Sequence, residues 1–440
     1  MKILMLFPYA PLPPPRDLAG TKRNLPFLLE LVKYHEVSVL SYGTPDEERL
    51  FRQSYGALCQ EVRFVNAKRP RLLNGLERLW LLGTGRSDFR QLYRPAMQRA
   101  IDEMTSAVRY DLIHCCVQMF GYFRFPPGMP VTSDTHEVKY DLLRRTASNT
   151  RDLFWKTLTY LSYRFGEKEE IELCRRFDLL IATTERDLKL FRKDLPGQNM
   201  TVIPNGAGKA FFEDLGIEPE PFTMVFTGLF THLPNSQGIL WFLDEVFPRI
   251  LAEARAARVY VVGKSPPREL LARASANVMV TGFVEDVRPY MAKGQIFIIP
   301  LLAGGGIRGK ALEAMAMKRP IVSTTIGVEG IRLHPEESAL FADTPGAFAG
   351  GVVRLFRHAG LRERIAANAF SVVQEHYVWE SKGRELDRAL RSVLHARGRK
   401  APQNGGTPGN VKQGPRLAES SGRMWTAPGP KVAEEKSVAK

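Results

Sequence analysis

The chain has 440 residues, of which 44% are hydrophobic and 25% charged, and its formal net charge at pH 7 is +15. A chain of this length predicts two domains, and the composition is that of a soluble globular protein. No uncharged run approaches the roughly 20 apolar residues of a membrane-spanning helix, which excludes an integral membrane protein. The apolar residues 3–7 are too short for a signal peptide, so we expect a cytoplasmic protein.

The positive charge indicates an anionic partner. Nucleic acid is one candidate, and a phosphorylated substrate together with an acidic membrane surface is the other. The chain has no zinc-finger spacing and no RNP-like aromatic motif. We therefore expect a polyanionic small substrate and no nucleic acid.

In the first 205 residues, short apolar runs typical of buried strands alternate with stretches typical of helices. Strands are predicted at residues 3–7, 36–41, 111–116, 130–133 and 179–183, and a helix at residues 22–34. This alternation predicts a parallel sheet with helices on both faces.

The pattern begins again after residues 216–221, which are rich in Pro and Glu. Strands are predicted at residues 223–227, 259–262, 277–281, 296–300 and 320–323, with helices at 237–254 and 310–317 and helical sequence through 361–396. The predicted fold class is α/β, with two Rossmann-like, doubly wound domains facing a central cleft. In such sheets, ligands bind beyond the carboxyl ends of the strands.

The predicted boundaries place the first domain at residues 1–205, a linker at 206–221 and the second domain at 222–375. A C-terminal helix at residues 376–396 is expected to pack back toward the first domain. Residues 397–440 are rich in Gly, Pro, Ser and Lys and poor in large apolar residues. They are predicted to form a disordered basic tail, because they cannot bury enough surface to offset the entropy of ordering.

Two stretches, residues 68–93 and 141–176, combine basic and aromatic side chains. Basic amphipathic helices of this kind can lie in a membrane interface. In the alternative interpretation, their apolar side chains pack on the domain core. A peripheral contact with an anionic membrane, on the inner face of the plasma membrane, is therefore one of two hypotheses.

Residues 298–313 carry the strongest chemical pattern of the chain. A predicted strand ends at Pro300, a turn with three consecutive glycines follows, and a helix begins near Lys310. Glycines allow a ligand to approach the backbone closely, and the amides at a helix N-terminus attract anions. Arg308 and Lys310 add positive charge there, and Glu313 lies one turn into the helix. This pattern predicts a diphosphate site with a carboxylate for sugar or ribose hydroxyls.

Residues 304–316 and 319–330 resemble retaining glycosyltransferases of the GT-B fold, in particular the large group 1, or family 4, class. Residues 226–242, 261–263 and 280–286 are similar, in the same order, to the donor domain of that class. Residues 202–206 are similar to its interdomain Pro-Asn-Gly signature. The resemblance covers roughly residues 1–395 and implies an acceptor-binding first domain and a donor-binding second domain.

The resemblance implies transfer of a sugar from a nucleotide-sugar donor to the hydroxyl of a glycan or lipid-linked acceptor, with retention. It also implies a place in polysaccharide or glycolipid biosynthesis. No Asp-x-Asp occurs in the chain, so we expect a metal-independent reaction and no cofactor. The residues predicted to bind the donor are Gly20, Arg23, Gly228, Lys264, Gly282, Phe283, Val284, Gly305, Gly306, Ile307, Arg308, Gly309, Lys310 and Glu313.

Two residues are predicted to lie at the reaction centre. The resemblance assigns Glu313 to the second acid of a Glu-x7-Glu pair that contacts the ribose, and the first acid of that pair falls at Gly305. His136 follows a predicted strand within Asp134-Thr135-His136-Glu137, an Asp-x-His element similar to that of the class. Its expected role is a hydrogen bond to the donor sugar or to the acceptor.

The sequence also departs from the phosphate-binding pattern of the class. Gly228 is followed by Leu229 where many relatives have Arg, and Gln237 stands near the usual Lys. A phosphate without cations in a partly desolvated cleft is costly. We therefore hypothesise that Arg308 and Lys310, with Lys264 as a third charge, replace the missing pair.

The basic residues before the first helix allow two interpretations. Gly20 and Arg23 match positions that approach the diphosphate in similar proteins, but they also suit an ordinary turn with a solvated basic helix start. Two alternatives to glycosyl transfer also stay open. One is a nucleotide-sugar 2-epimerase on the same fold, and the other is a catalytically degenerate binding or scaffold protein.

Overall fold

The computed structural model describes residues 1–13, 21–66, 77, 80–81, 83–149 and 152–398. Several predictions lie outside these residues: the tail from residue 399 onward, the site residue Gly20, and part of the basic-aromatic stretch 68–93. The described residues form one compact unit, Met1–Gly398.

The first half of this unit is built on a parallel sheet with seven strands among the described residues. The strands are β1 (Lys2–Phe7), β2 (Glu36–Tyr42), β3 (Glu61–Val65), β4 (Leu112–Cys115), β5 (Val131–Thr135), β6 (Leu179–Ala182) and β7 (Met200–Val202). Their order in the sheet is β3-β2-β1-β4-β5-β6-β7. Strand order reverses direction between β1 and β4, where ligands of doubly wound sheets bind.

The second half repeats this architecture with six described strands. They are β8 (Glu220–Thr227), β9 (Arg258–Val262), β10 (Val278–Gly282), β11 (Gly294–Ile299), β12 (Ile321–Ser323) and β13 (Leu340–Phe341), in the order β10-β9-β8-β11-β12-β13. All the strand pairs are parallel. The reversal lies between β8 and β11, next to the glycine turn at residues 304–306.

Helices connect the strands in both halves. In the first half they are α1 (Thr21–Leu31), α2 (Pro45–Tyr55), α3 (Pro95–Ala107), α4 (Lys139–Asn149), α5 (Leu153–Cys174) and α6 (Glu185–Asp194). In the second half they are α7 (Leu233–Trp241), α8 (Phe247–Glu253), α9 (Arg268–Leu271), α10 (Arg288–Lys293), α11 (Gly309–Ala316), α12 (Pro345–Arg357), α13 (Ala359–His376) and α14 (Trp379–Gly398). None of the helices in the described part of the chain is long and apolar enough to cross a membrane.

Local sequence explains these elements. The side chains of β1 and β11 are almost all apolar and buried, as expected of parallel strands that are covered on both faces. Helix α2 begins with a capping box, in which Thr44 and Glu47 each accept a hydrogen bond from the other's backbone amide.

The last helix of the described residues packs on the first half. Leu386, Leu390 and Val393 of α14 belong to the apolar core that lies under β1 and α1. His35 Nε2 lies 2.6 Å from the carboxylate Oδ1 of Asp387. The chain therefore crosses from the first half to the second and then returns.

The predicted α/β class with two doubly wound parallel sheets is confirmed. Strands β3, β7 and β13 were not predicted from the sequence, because they are short and only partly apolar. The predicted helical sequence over residues 361–396 forms two helices, which are separated at Tyr377 and Val378. Val378 there pairs with Ala207 in a short bridge, and this pairing interrupts the helix.

Candidate functional site

Three glycines line the carboxyl ends of the strands in the second sheet. The amide of Gly228 donates to the carbonyl of Val262 at 2.9 Å, and the amide of Gly263 donates to the carbonyl of Gly282 at 3.0 Å. A Cβ atom at Gly263 would overlap the carbonyl oxygen of Gly228. Backbone rather than side chains therefore forms this edge, which leaves it open to close approach by a ligand.

The predicted base-binding loop at residues 282–284 lies beside this edge. Gly282 has a φ of 72°, which turns the chain sharply after β10. The Phe283 ring is 53% exposed, and Lys264 Nζ lies 6.0 Å from its centroid. Val284 packs instead on the core of the second half. The loop thus presents one aromatic face and one cation to solvent.

The guanidinium of Arg308 holds the glycine turn together. It donates to the carbonyl oxygens of Gly305 and Gly306 and, at 3.1 Å, to that of Ile326. Gly304 and Gly306 have φ values of 151° and 64°, conformations that favour glycine. Burial lowers the pKa of Arg308. Its contacts in the structure are with the turn, and its predicted role toward the diphosphate stays a prediction.

Lys310 is the cation at the start of α11. Its Nζ donates to Oδ1 of Asn235 at 2.9 Å and lies 4.0 Å from the centroid of Phe226. Burial, assisted by the nearby positive charge of Arg308, lowers its pKa to about 7, and Glu313 opposes this shift. Its charge therefore changes near neutral pH and responds to any anion bound beside it.

Glu313 meets the first half through an ion pair. The residue is 7% exposed, and its carboxylate accepts a hydrogen bond from Lys22 Nζ at 2.8 Å. Lys22 lies in the first turn of α1, and its side chain is 48% exposed. A ribose that binds Glu313 has to displace or share this contact.

At the carboxyl ends of β1 and β5, the first half places a buried charge cluster instead. Arg23 donates to both carboxylate oxygens of Asp134, at 2.6 and 2.7 Å, and to Asn205 and the carbonyl of Ile203, each at 2.9 Å. The ring nitrogen Nε2 of His136 lies 2.9 Å from Oδ1 of Asn24. Arg23 is thus occupied by protein partners, and its predicted role in donor binding stays a prediction.

The charge states of this cluster follow from its contacts. Burial alone raises the pKa of Asp134, but the adjacent Arg23 outweighs it, so the pKa lies below its usual value. Burial lowers the pKa of His136, and the charge of Asp134 only partly offsets this. His136 is therefore neutral at pH 7 and suited to hydrogen bonding.

Several contacts join the two halves around the glycine turn. Asn205 Nδ2 donates to the carbonyl of Ile307 at 3.0 Å. Arg145 donates to Glu329 at 2.9 Å and to the carbonyl of Gly304 at 3.2 Å. A Cβ atom at Gly306 would meet the carbonyl oxygen of His136. The structure therefore brings His136 and the glycine turn together, although they are 170 positions apart.

Most of the predicted site residues meet in this region, but in two groups. Gly228, Lys264, Gly282 and Phe283 share the second sheet's edge, while residues 305–310, Glu313 and His136 surround the turn. Sequence reasoning missed Lys22, Glu137, Asn205 and Arg145, which contact the turn or α11 from the first half. The pair His136-Glu137 offered a signal, because a second polar residue directly follows the predicted site histidine.

Sequence comparison gives a family match and a curated relative. Residues 221–358 match the family model for glycosyl transferases group 1. Over 163 residues the chain is 29% identical to an uncharacterized 44.6 kDa protein in the cps region of Klebsiella pneumoniae. That match covers 35% of this chain, and the chain spans only 42% of the relative's length.

Solved structures share the fold over nearly the whole described unit. Sucrose-phosphate synthase from Thermosynechococcus elongatus has a TM-score of 0.66 at 17% identity, covering 90% of this chain and 100% of that one. HepE of Anabaena in complex with UDP has a TM-score of 0.62 at 16% identity, covering 89% of this chain and 100% of that one. A TarM mutant of S. aureus with UDP has a TM-score of 0.63 at 10% identity, covering 90% of this chain and 100% of that one. The predicted GT-B architecture is confirmed.

Proposed function

We propose that this chain, whose residues 221–358 match the family model for glycosyl transferases group 1 and which has the GT-B fold, transfers a sugar from a nucleotide-sugar to an acceptor hydroxyl. One observation carries this proposal. The glycine turn that precedes α11, the helix that carries Lys310, packs against the backbone of His136 from the other half.

The donor is proposed to lie along the edge of the second sheet. HepE has been solved with UDP and with UDP-glucose, which supports a nucleotide diphosphate as the ligand class. The diphosphate would lie at the amides that begin α11, where the helix dipole and Lys310 both favour an anion. The base would lie on the exposed ring of Phe283, and the ribose would contact Glu313.

The reaction that we propose is metal-independent and retains the anomeric configuration. As the bond between the sugar and the diphosphate breaks, negative charge grows on the leaving phosphate. Helix amides and protonated Lys310 stabilise that charge without reorganisation. Neutral His136 can hydrogen-bond the sugar or the acceptor hydroxyl on the opposite side of the cleft.

The acceptor side and the pathway form the finer part of the proposal. Similarity to a protein of a cps region supports polysaccharide or glycolipid biosynthesis. The first turns of α5 expose Phe154, Trp155 and Tyr160 by 64%, 54% and 51%. Here the side chains do not pack on the core, in contrast to the buried Leu173 and Cys174 at the other end of α5. This supports a peripheral contact with an anionic membrane that carries a lipid-linked acceptor.

A donor screen tests the proposal. Thermal shifts are measured with UDP-, GDP- and ADP-sugars, because a ligand at 100 times its dissociation constant stabilises by about 2.7 kcal/mol. We expect one nucleotide class to raise Tm and its sugar to be transferred to an added acceptor. NMR of the products separates the alternatives: conversion of the donor to its 2-epimer without acceptor identifies an epimerase, and binding without turnover identifies a scaffold protein.

The matched variants are Lys310→Met and Lys189→Met, which remove the same charge. Lys189 lies on the exposed face of α6 and is not one of the predicted site residues. Lys310→Met should lose most of the nucleotide-induced shift, and Lys189→Met should retain it. Equal shifts in both variants would contradict the proposed position of the diphosphate.

A further inference from the structure

The side chain of Glu137 lies directly across Gly305. A Cβ atom at Gly305 would stand 3.1 Å from Glu137 Cβ and 3.6 Å from the carboxylate oxygen Oε2. Glu137 belongs to the first half, at the carboxyl end of β5, and Gly305 belongs to the turn before α11. The carboxylate therefore occupies the space that a side chain at position 305 would fill.

Space explains why position 305 is a glycine. Its neighbours Gly304 and Gly306 have positive φ values, but the φ of Gly305 is not positive. Any L residue can adopt its backbone conformation, so conformational freedom does not require glycine there. A side chain at position 305 would instead take up the space that Glu137 occupies. The two residues fit one another across the cleft.

The backbone around Glu137 is held firmly. Its carbonyl accepts a hydrogen bond from Gln118 at 3.1 Å. The next helix, α4, begins with the amides of Lys139 and Tyr140 donating to the buried carboxylate of Glu170, each at 2.9 Å. Thr183 donates to the carbonyl of His136 at 3.1 Å. These hydrogen bonds hold the backbone of Glu137 in position. A side chain that contacts a substrate with the correct geometry requires such a fixed backbone.

The Glu137 carboxylate carries a negative charge at neutral pH. Burial raises its pKa, but Lys139, whose Nζ lies 3.3 Å from Oε1, outweighs burial with help from His232 and His136. The pKa therefore lies below its usual value. The side chain keeps 21% of its surface exposed, so solvent reaches it and it is not sealed in the core.

We infer that Glu137 is a sugar-contacting carboxylate of the reaction centre, supplied by the first half at the point where the second half has Gly305. This inference rests on the proposed function. The oxygens of Glu137 accept hydrogen bonds from hydroxyls of the donor sugar. Their charge also stabilises the positive charge that develops at the anomeric carbon as the nucleoside diphosphate leaves, and Glu137 itself forms no covalent bond.

The isosteric variant Glu137→Gln tests this role. It removes the charge and keeps the shape, so we expect kcat to fall roughly 100-fold, with the affinity for the free nucleoside diphosphate unchanged within twofold. Glu363→Gln makes the same chemical change on the exposed face of α13 and should retain full kcat. A Glu137→Gln variant with kcat within twofold of the wild type would overturn the inference.

A relocation of the carboxylate tests the shared position. Gly305→Glu alone should be inactive, because its side chain collides with Glu137 and brings a second negative charge beside it. Glu137→Ala alone should be as poor as Glu137→Gln. The double variant, Glu137→Ala with Gly305→Glu, should recover at least tenfold over Glu137→Ala. A double variant with an unchanged Tm and no recovery contradicts a common location for the two carboxylates.

A binding measurement separates this inference from the proposed function. UDP, GDP and ADP and their glucose and mannose conjugates are titrated into wild type and Glu137→Gln by calorimetry. If Glu137 contacts the sugar, the variant loses affinity for the conjugate and not for the free diphosphate. Equal losses for both overturn the inference alone, whereas a wild type that binds none of these compounds overturns the proposed function and the inference with it.

Discussion

The two sheets present very different edges to the cleft between them. At the second sheet, Gly228, Gly263 and Gly282 leave bare backbone, and Arg308 is turned inward onto the carbonyls of the glycine turn. At the first sheet, Arg23 and Asp134 form a buried ion pair beside His136. One edge is suited to contact with a ligand through amides, and the other through side chains whose orientation is set by charge.

This difference separates two ways of preparing a site. A backbone edge needs only the correct conformation, so its stability depends on the absence of side chains. A charged edge needs every ion to keep its partner, because an unpaired buried charge is costly. Substitutions at the two edges should therefore fail for different physical reasons.

The largest effect is expected at the charged edge. Arg23→Met leaves the carboxylate of Asp134, which is 1% exposed, without its bidentate partner. Breaking a buried pair on one side costs about 3–5 kcal/mol. We expect the free energy of unfolding, measured by urea titration, to fall by that amount.

The control is the double variant Arg23→Met with Asp134→Asn. Removing both charges should cost less than the sum of the two single variants, since no ion is left unpaired. A loss below about 1 kcal/mol for Arg23→Met would show that the pair contributes little, and the two edges would then differ less than the structure indicates.

At the glycine edge, Gly263→Ala is expected to destabilise by roughly 2–4 kcal/mol. The added Cβ atom would overlap the carbonyl of Gly228, and the φ of 151° at this position strains any other residue. The matched control is Gly350→Ala within α12, where a Cβ atom meets nothing within 4 Å. That control should be neutral or slightly stabilising, because alanine favours a helix.

The sequence pattern describes the glycine turn more fully than the charged edge. The glycines at residues 304–306, followed by Arg308 and by a helix that begins near Lys310, form a local pattern within about 15 residues, and the structure keeps it local. The alternation of apolar runs likewise predicted both sheets. Short strands such as β13, with two residues, carry too few side chains to produce a pattern.

The partners of the charged residues could not be predicted, because they lie far away in the sequence. Arg23 was expected to face a phosphate, but its partners Asp134, Asn205 and Ile203 lie 111 to 182 positions away. Lys22 and Glu313 are 291 positions apart. Charge alone indicates that a residue needs a partner, and only the packed chain determines which partner it finds.

The exposed aromatic residues of α5 give the next prediction. The double variant Phe154→Ala with Trp155→Ala should bind vesicles of anionic phospholipid at least tenfold more weakly, since burying one such side chain contributes about 1.5–3 kcal/mol. Its free energy of unfolding should change by less than about 0.5 kcal/mol. Tyr34→Ala, which alters an exposed aromatic residue outside this helix, is the control in vesicle co-sedimentation. Equal vesicle binding by the wild type and the double variant would contradict a membrane contact at α5.

The smallest effect concerns Lys310, the cation of the glycine edge. Its pKa of about 7 in the free protein should rise when a diphosphate binds beside it. Below pH 7 the group is already protonated and contributes no pH dependence. Above pH 7, binding must take up a proton, so affinity falls by up to about tenfold, or 1.4 kcal/mol, per pH unit.

Calorimetry with UDP-glucose, or with the donor that the screen identifies, measures this slope between pH 6 and 8.5. His136 and His232 have lowered pKa values and do not titrate in the upper part of this range. Lys310→Arg keeps the charge at every pH and should bind with no slope, while Lys310→Met should bind weakly at every pH. If the slope persists in Lys310→Arg, another group takes up the proton, and the glycine edge then binds its anion through backbone amides alone.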